Sequence, residues 1–278
     1  MDVVVVISDD NYQQYARTLI KTIGVFNSLN VVHVQIKDNL TEQDSFVISN
    51  TSKFTCIRIP QLGKTDEDKR TYSAVCRFEV AKNLLSFNPN IDTLLYIDAD
   101  SIVRGQLKPQ IAEILNGNWD IGVHIRDHTH PYLTSVLLFS QNSKPLLAEL
   151  TLESSRSELV WGQDQEVLKK VLSRDQRYRV LNLNPPLVGW KFHKSLIIWN
   201  AKGPTNRKSE AFIFESWALP HLNRLSKSFN QGPRIVIFAF SWLLDKLKFQ
   251  LRYYYFRSQI ILLIQKIESI FEPSDIQK

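Results

Sequence analysis

Apolar positions along the first 200 residues keep switching between a continuous run and a helical stripe. Val3–Ile7 is four valines and an isoleucine in succession, which predicts a strand buried on both faces. Tyr12, Tyr15, Ala16, Leu19, Ile20 and Ile23 then recur at three- and four-residue steps. That stripe predicts an amphipathic helix with Asp9 or Asp10 as its N-cap. Further strands are predicted at Val31–Ile36, Thr55–Ile59 and Leu94–Ile97, separated by helical stretches near 41–50 and 71–87. Strands at Ile121–His124, Thr134–Phe139, Arg179–Leu183 and Leu196–Trp199 follow, with helices near 144–155 and 163–173. Alternation of this kind predicts an α/β fold, a mostly parallel central sheet with helices on both faces. From about Phe229 the pattern turns aromatic, basic and helical, so residues 1–228 are expected to form the principal domain and 229–278 an appendage.

Composition narrows the class. The chain has 278 residues, 44% hydrophobic and 22% charged, ordinary globular values that exclude disorder, collagen and coiled coil. Its 2 cysteines, Cys56 and Cys76, exclude a disulfide framework and argue against a cysteine zinc site. They fit a reducing compartment. Met1-Asp2-Val3 carries no basic leader, and the longest apolar run in the tail, Ile235–Leu244, has 10 residues where a membrane span needs roughly 20. A cytoplasmic location is therefore expected.

Charge matters only once it is placed. The net charge is +6, and between His221 and Lys266 eight Lys/Arg face Asp245 alone, +7, which leaves 6 − 7 = −1 for everything else. In that segment Ile235–Leu244 is followed by Lys246, Lys248, Arg252 and Arg257, interleaved with Phe249, Tyr253, Tyr254, Tyr255 and Phe256. Aromatic and cationic side chains so mixed suit the headgroup level of an anionic membrane. The segment is thus expected to hold the protein at a cytoplasmic membrane face without crossing it; a pair of helices packed on the domain or on a second subunit is the competing reading. Its Ile/Leu/Phe face argues against nucleic acid.

The strongest local feature is Leu94-Leu95-Tyr96-Ile97-Asp98-Ala99-Asp100. A buried strand delivers two carboxylates to the edge where open α/β sheets bind ligands. Two such oxygens suit a hard divalent cation, though paired aspartates also cap turns. Arg77 lies on the apolar face of the 71–87 helix, beside Ala74 and Ala81. A guanidinium there needs an anion, either an Asp-x-Asp carboxylate or a phosphate, unless it snorkels to solvent. Asp9-Asp10-Asn11-Tyr12 offers groups for a base edge and a ring to stack on it, or simply a cap. Asp164, in Trp161-Gly162-Gln163-Asp164-Gln165, is an N-cap candidate or a cleft carboxylate. Asn200-Ala201-Lys202-Gly203-Pro204, with Arg207 and Lys208, is a basic glycine turn suited to a pyrophosphate, or a plain loop.

Taken together and in this order, these motifs resemble the retaining sugar-nucleotide transferases of glycosyltransferase family 8, over roughly residues 1–208. The resemblance implies a GT-A fold and transfer of a hexose from a UDP-sugar to a glycan or glycolipid acceptor, with retention. It implies Asp98 and Asp100 as ligands of Mn²⁺, with Mg²⁺ as the alternative, and Asn200 where the family has a histidine ligand. Ile7, Asp9, Asn11, Tyr12, Arg77, Ala99, Lys202, Gly203 and Arg207 would join Asp98 and Asp100 in holding the nucleotide sugar. Asp164 and Gln165 would line the reaction centre. The family's phosphate lysine is Asn206 here, and its sugar-holding Asn-Ala-Gly stretch is Leu133-Thr134-Ser135. Two rivals remain at this stage. One is a haloacid-dehalogenase-like phosphatase, whose Asp-x-Asp normally follows its first strand; the other is an inactive module binding membrane or partner.

Overall fold

A computed structural model describes residues 2–219 except 41–45, 52, 116, 194, 202, 210, 214 and 217. The chain divides into two compact units, Met1–Trp217 and Ala218–Lys278, and only Ala218 and Leu219 of the second are described. The basic aromatic segment expected from 229 lies outside the described residues. Among the described residues no helix is long and apolar enough to cross a membrane.

The expected α/β domain is present. Strands β1 (Asp2–Ser8), β2 (Asn30–Lys37), β3 (Phe46–Asn50), β4 (Phe54–Pro60), β5 (Thr93–Ile97), β7 (Ile121–Ile125), β8 (Tyr132–Ser140) and β9 (Val180–Asn182) form one sheet in the order β3-β4-β2-β1-β5-β8-β7-β9. Pairs β1·β2, β1·β5, β2·β4 and β7·β9 are parallel, whereas β3·β4, β5·β8 and β7·β8 are antiparallel. A second, small sheet joins β10 (Val188–Gly189), β11 (Ile198–Asn200) and β6 (Ser101–Val103).

Alternate residues of β1 enter different cores, which is why the run is apolar throughout. Val3, Val5 and Ile7 pack with Phe78, Ala81 and Leu85 of α2 (Asp66–Phe87), Leu146, Leu147 and Leu150 of α4 (Lys144–Arg156) and Val167, Leu168 and Val171 of α5 (Gln163–Arg174). Val4 and Val6 pack on the other face with Ala16, Leu19 and Ile23 of α1 (Gln13–Phe26) and Ile111 of α3 (Lys108–Leu115). Each such aliphatic side chain contributes about 1.5–3 kcal/mol by leaving water. Cys56 and Cys76 are free thiols buried in this framework.

The chain runs outward from β1 through β2 to β4, then returns through α2 to β5 on the other side of β1. The direction reverses between β1 and β5, and α1 and α2 lie on opposite faces. A crevice opens outside the carboxyl ends of strands at such a reversal.

Three expectations are corrected. The stretch near 41–50 ends in a strand, β3, whose Val47 pairs antiparallel with Ile57, and not in a helix. Its Phe-Val-Ile run favours extended backbone, and the free edge of β4 supplies hydrogen-bond partners. Helix α1 takes Tyr12 as N-cap with no side-chain cap bond, so neither Asp9 nor Asp10 caps it. Gly162, not Asp164, is the N-cap of α5, because its φ of 83° closes the entering turn at low cost.

Candidate active site

Parallel pairing sets Val5 of β1 opposite Tyr96 of β5, so the residues after both strands leave the same edge of the sheet. Asp98 comes first after β5. Its backbone N–H donates to Ser135 O at 2.8 Å, which ties it to β8. Tyr96 and Asp98 share a face of the strand, and the Tyr96 hydroxyl donates to Asp98 Oδ1 at 2.6 Å. Burial raises the Tyr96 phenol well above its ordinary pKa, so it remains a donor.

Arg77 joins the two ends of the site. Its side chain is 6% exposed, with Nη2 at 3.2 Å from Asp98 Oδ1 and Nη1 at 3.5 Å from Asp164 Oδ2. Nη1 also donates to Thr134 O, and Cζ stands 4.5 Å from the Tyr96 ring centroid. Burial alone would lower the pKa of this guanidinium, but Tyr96, Asp98 and Asp164 outweigh it and the net shift is upward. The expected anion is thus a carboxylate of the Asp-x-Asp pair together with Asp164. Asp164 is buried in the first turn of α5 and accepts the Thr134 hydroxyl proton. Beside it, Gln165 Oε1 accepts from Arg126 Nη2 at 3.0 Å.

Asp100 belongs to a second cluster. Antiparallel pairing of β6 and β11 sets Asn200 opposite Ser101, and Asn200 Nδ2 donates to Asp100 Oδ1 at 3.2 Å and to Ser101 Oγ at 3.0 Å. Asn200 is thus the last residue of a strand, not the first of a loop. Arg207 Nη1, from the short helix α6 (Pro204–Arg207), lies 2.7 Å from Asp100 Oδ2. Its Cζ sits 5.1 Å from the Tyr12 ring centroid and 5.8 Å from that of Tyr15. Gly203, before it, has a φ of 90° that a side chain would strain. Ala99 is buried between the two aspartates, and Ile7 is buried near the end of β1.

The opening motif is only partly gathered. Asp9 Oδ1 accepts the Tyr12 N–H at 2.9 Å, and burial raises its carboxyl pKa. Asp10 is drawn to Lys37 instead, and Asn11 is exposed. Lys202 lies outside the described residues.

A divalent cation, which the family resemblance implies, would need hard-oxygen donors here. Arg77 pairs with Asp98 and Asp164, and Arg207 pairs with Asp100, so three carboxylates face two guanidiniums. Asn200 is fully buried, and its Oδ1 accepts no bond, a hard-oxygen ligand left over. An unmet buried acceptor costs about 1–3 kcal/mol, so a cation there would relieve it. Among the described residues no group of three or more His, Cys, Asp and Glu is placed to hold a metal, so a cation at this edge would have only two carboxylates, Asp98 and Asp100, with the Asn200 amide oxygen as the third donor.

Tyr96, Thr134, Arg126 and Tyr15 were not singled out by sequence reasoning as site residues. Tyr96 carried a usable signal, its two-residue spacing from Asp98; the others meet the site only through tertiary pairing.

No family model matches this chain, and no curated protein does either. Solved structures do. The chain resembles the glycosyltransferase GlyE of Streptococcus pneumoniae TIGR4, at 13% identity, in two crystal structures. The apo form gives a TM-score of 0.53 over 82% of this chain, and the other gives 0.52 over 83%. In both cases the match spans 64% of the GlyE chain. A galactosyltransferase, LgtC, in complex with donor and acceptor sugar analogs, is matched at 15% identity and a TM-score of 0.49, over 82% of this chain and 96% of that one. The fold of the first unit is thus the GT-A α/β fold, as expected.

Proposed function

We propose that the protein is a metal-dependent glycosyltransferase that moves a hexose from a UDP-sugar to a glycan or glycolipid acceptor, with retention of configuration. One observation carries the reading. Beyond the carboxyl end of β5, Arg77 binds Asp98 and Asp164 at once, while Asn200 keeps a buried oxygen free beside Asp100. The GT-A fold shared with GlyE supports it, and retention rests on the family 8 resemblance. The phosphatase rival loses ground, since Asp98 follows β5 and not the first strand.

In this reading Ile7, Asp9, Asn11 and Tyr12 hold the uracil, Tyr12 by stacking. Asp98, Asp100 and Asn200 hold Mn²⁺ or Mg²⁺. A divalent ion bound there supplies Lewis-acid stabilisation of the departing UDP. Arg77 fixes the spacing between the diphosphate end and the reaction end by gripping a carboxylate at each. Thr134 orients Asp164 by donating to it, and Arg126 pins Gln165, so both side chains reach the anomeric carbon already ordered. Arg207 and Lys202, flanking Gly203, neutralise phosphate charge.

The test is release of UDP from UDP-Glc, UDP-Gal and UDP-GlcNAc with Mn²⁺. Turnover of one donor supports the proposal and names the sugar. UDP binding without turnover of any donor, or no UDP binding at all, overturns the transferase reading and favours the inactive module. We also propose that the segment from 229 to 271 holds the protein at a cytoplasmic membrane face, close to a lipid-linked acceptor, on the strength of its cationic and aromatic composition alone.

A further inference from the structure

One side chain occupies two places that the proposed reaction needs. The Arg207 guanidinium is 2.7 Å from Asp100 Oδ2, and the same group lies over the Tyr12 ring at 5.1 Å. It therefore engages a carboxylate assigned to the cation and covers a ring assigned to the base. The pair is largely shielded, the two side chains being 18% and 9% exposed. Arginine does not lose its charge in a protein, so the guanidinium cannot yield to a divalent ion by deprotonating. It has to move.

We infer that Arg207 is a displaceable internal counter-ion that couples cation binding to nucleotide binding. The inference rests on the UDP-sugar reading above. A divalent ion entering the free protein must break the Arg207–Asp100 bond, and it meets a positive charge as it approaches. A base stacking on Tyr12 must lift the same guanidinium from the ring. Whichever ligand arrives first does the work of displacement, and the second then binds more easily. Such reciprocal coupling typically amounts to roughly 5–150-fold in affinity. The diphosphate provides the displaced arginine with a new anion, and a planar fork suits phosphate oxygens well. Arg207 is in this sense a positioning residue. A purely structural tie would instead anchor α6 to β6 and leave cation affinity untouched.

The experiment measures Mn²⁺ binding to the free protein, by the electron paramagnetic resonance signal of unbound Mn²⁺, for wild type, Arg207→Gln and Arg207→Lys. UDP titration calorimetry with and without Mn²⁺ then gives the coupling factor for each. Arg207→Gln is expected to bind Mn²⁺ alone at least about fivefold more tightly than wild type, with its coupling factor reduced at least about fivefold toward unity. Arg207→Lys, which keeps the charge but loses the planar fork, is expected to fall between. Equal or weaker Mn²⁺ binding by Arg207→Gln, no Mn²⁺ binding by either protein, or an unchanged coupling factor overturns the inference. Should the Gln variant fail to fold by circular dichroism, wild-type values in Arg207→Lys overturn it equally. The nucleotide reading fails separately: a wild type that binds no UDP refutes that reading, while the Mn²⁺ arm still decides whether Arg207 guards Asp100.

Discussion

Replacing Arg77 by methionine probes the join between the two ends of the site. The side chain is 6% exposed, as is that of Asp164, and that of Asp98 is 25% exposed. Methionine roughly fills the space, so the cost is electrostatic rather than a cavity. Asp164 would keep the Thr134 hydroxyl, and Asp98 the Tyr96 hydroxyl. Removing one member of a buried ion pair costs about 3–5 kcal/mol, because the remaining charge is stranded. Partial exposure of Asp98 places the expected loss near the lower end, about 3 kcal/mol, or roughly a hundredfold in the folding constant. Urea unfolding followed by tryptophan fluorescence and circular dichroism measures this, with coincident curves as the check on two-state behaviour. Arg77→Met combined with Asp164→Asn should recover part of the loss, because a neutral amide is no longer stranded. Added salt should leave the difference unchanged, since ions screen buried pairs weakly. A loss under about 1 kcal/mol, or no recovery in the double variant, would show that Arg77 does not neutralise this pair.

Other consequences follow from the same structure. His33 is buried against Ser8 Oγ at 2.9 Å, and burial, with Arg17 and Lys37 nearby, lowers its pKa to about 4. Below pH 6.5 the unfolded chain gains a proton that the folded one refuses, so stability should fall by about 2–3 kcal/mol as pH drops from 6.5 toward 4. His33→Gln should flatten that loss in urea midpoints at pH 7 and 4.5; an equally steep loss refutes the assignment. Gly162→Ala meets no atom within 4 Å but must hold a φ of 83°, so it should cost about 1–2 kcal/mol by thermal melting. Gly24→Ala, in open space on α1, should instead stabilise by up to about 1 kcal/mol. In sedimentation with anionic liposomes at low salt, the full chain should pellet and a chain ending near Ser228 should not. Equal behaviour of the two excludes membrane attachment through the tail.

Much of the framework was legible because its signals are local. The five-residue apolar run of β1, the stripe of α1 and the Asp-x-Asp at the end of β5 each declare themselves within a few residues. Arg77 announced a buried anion by its position among small apolar neighbours, and two carboxylates meet it. What stayed hidden depends on pairing across the chain. Arg207 and Asp100 are 107 residues apart in sequence, and only the β6–β11 register with the α6 turn brings them together. Thr134 reads as an ordinary strand residue until α5 sets Asp164 against it. The misread strand β3 reflects a similar limit. A short apolar run fits either period, and its choice was made by the free edge of β4.

The most direct test of the central claim is calorimetric titration of UDP into wild type and into Asp98→Ala/Asp100→Ala, each with Mn²⁺ and with EDTA. A cation-assisted nucleotide site predicts binding to wild type that Mn²⁺ tightens at least tenfold, and loss of that enhancement in the double variant. UDP affinity that is the same in Mn²⁺ and EDTA, or that survives both substitutions unchanged, would contradict it.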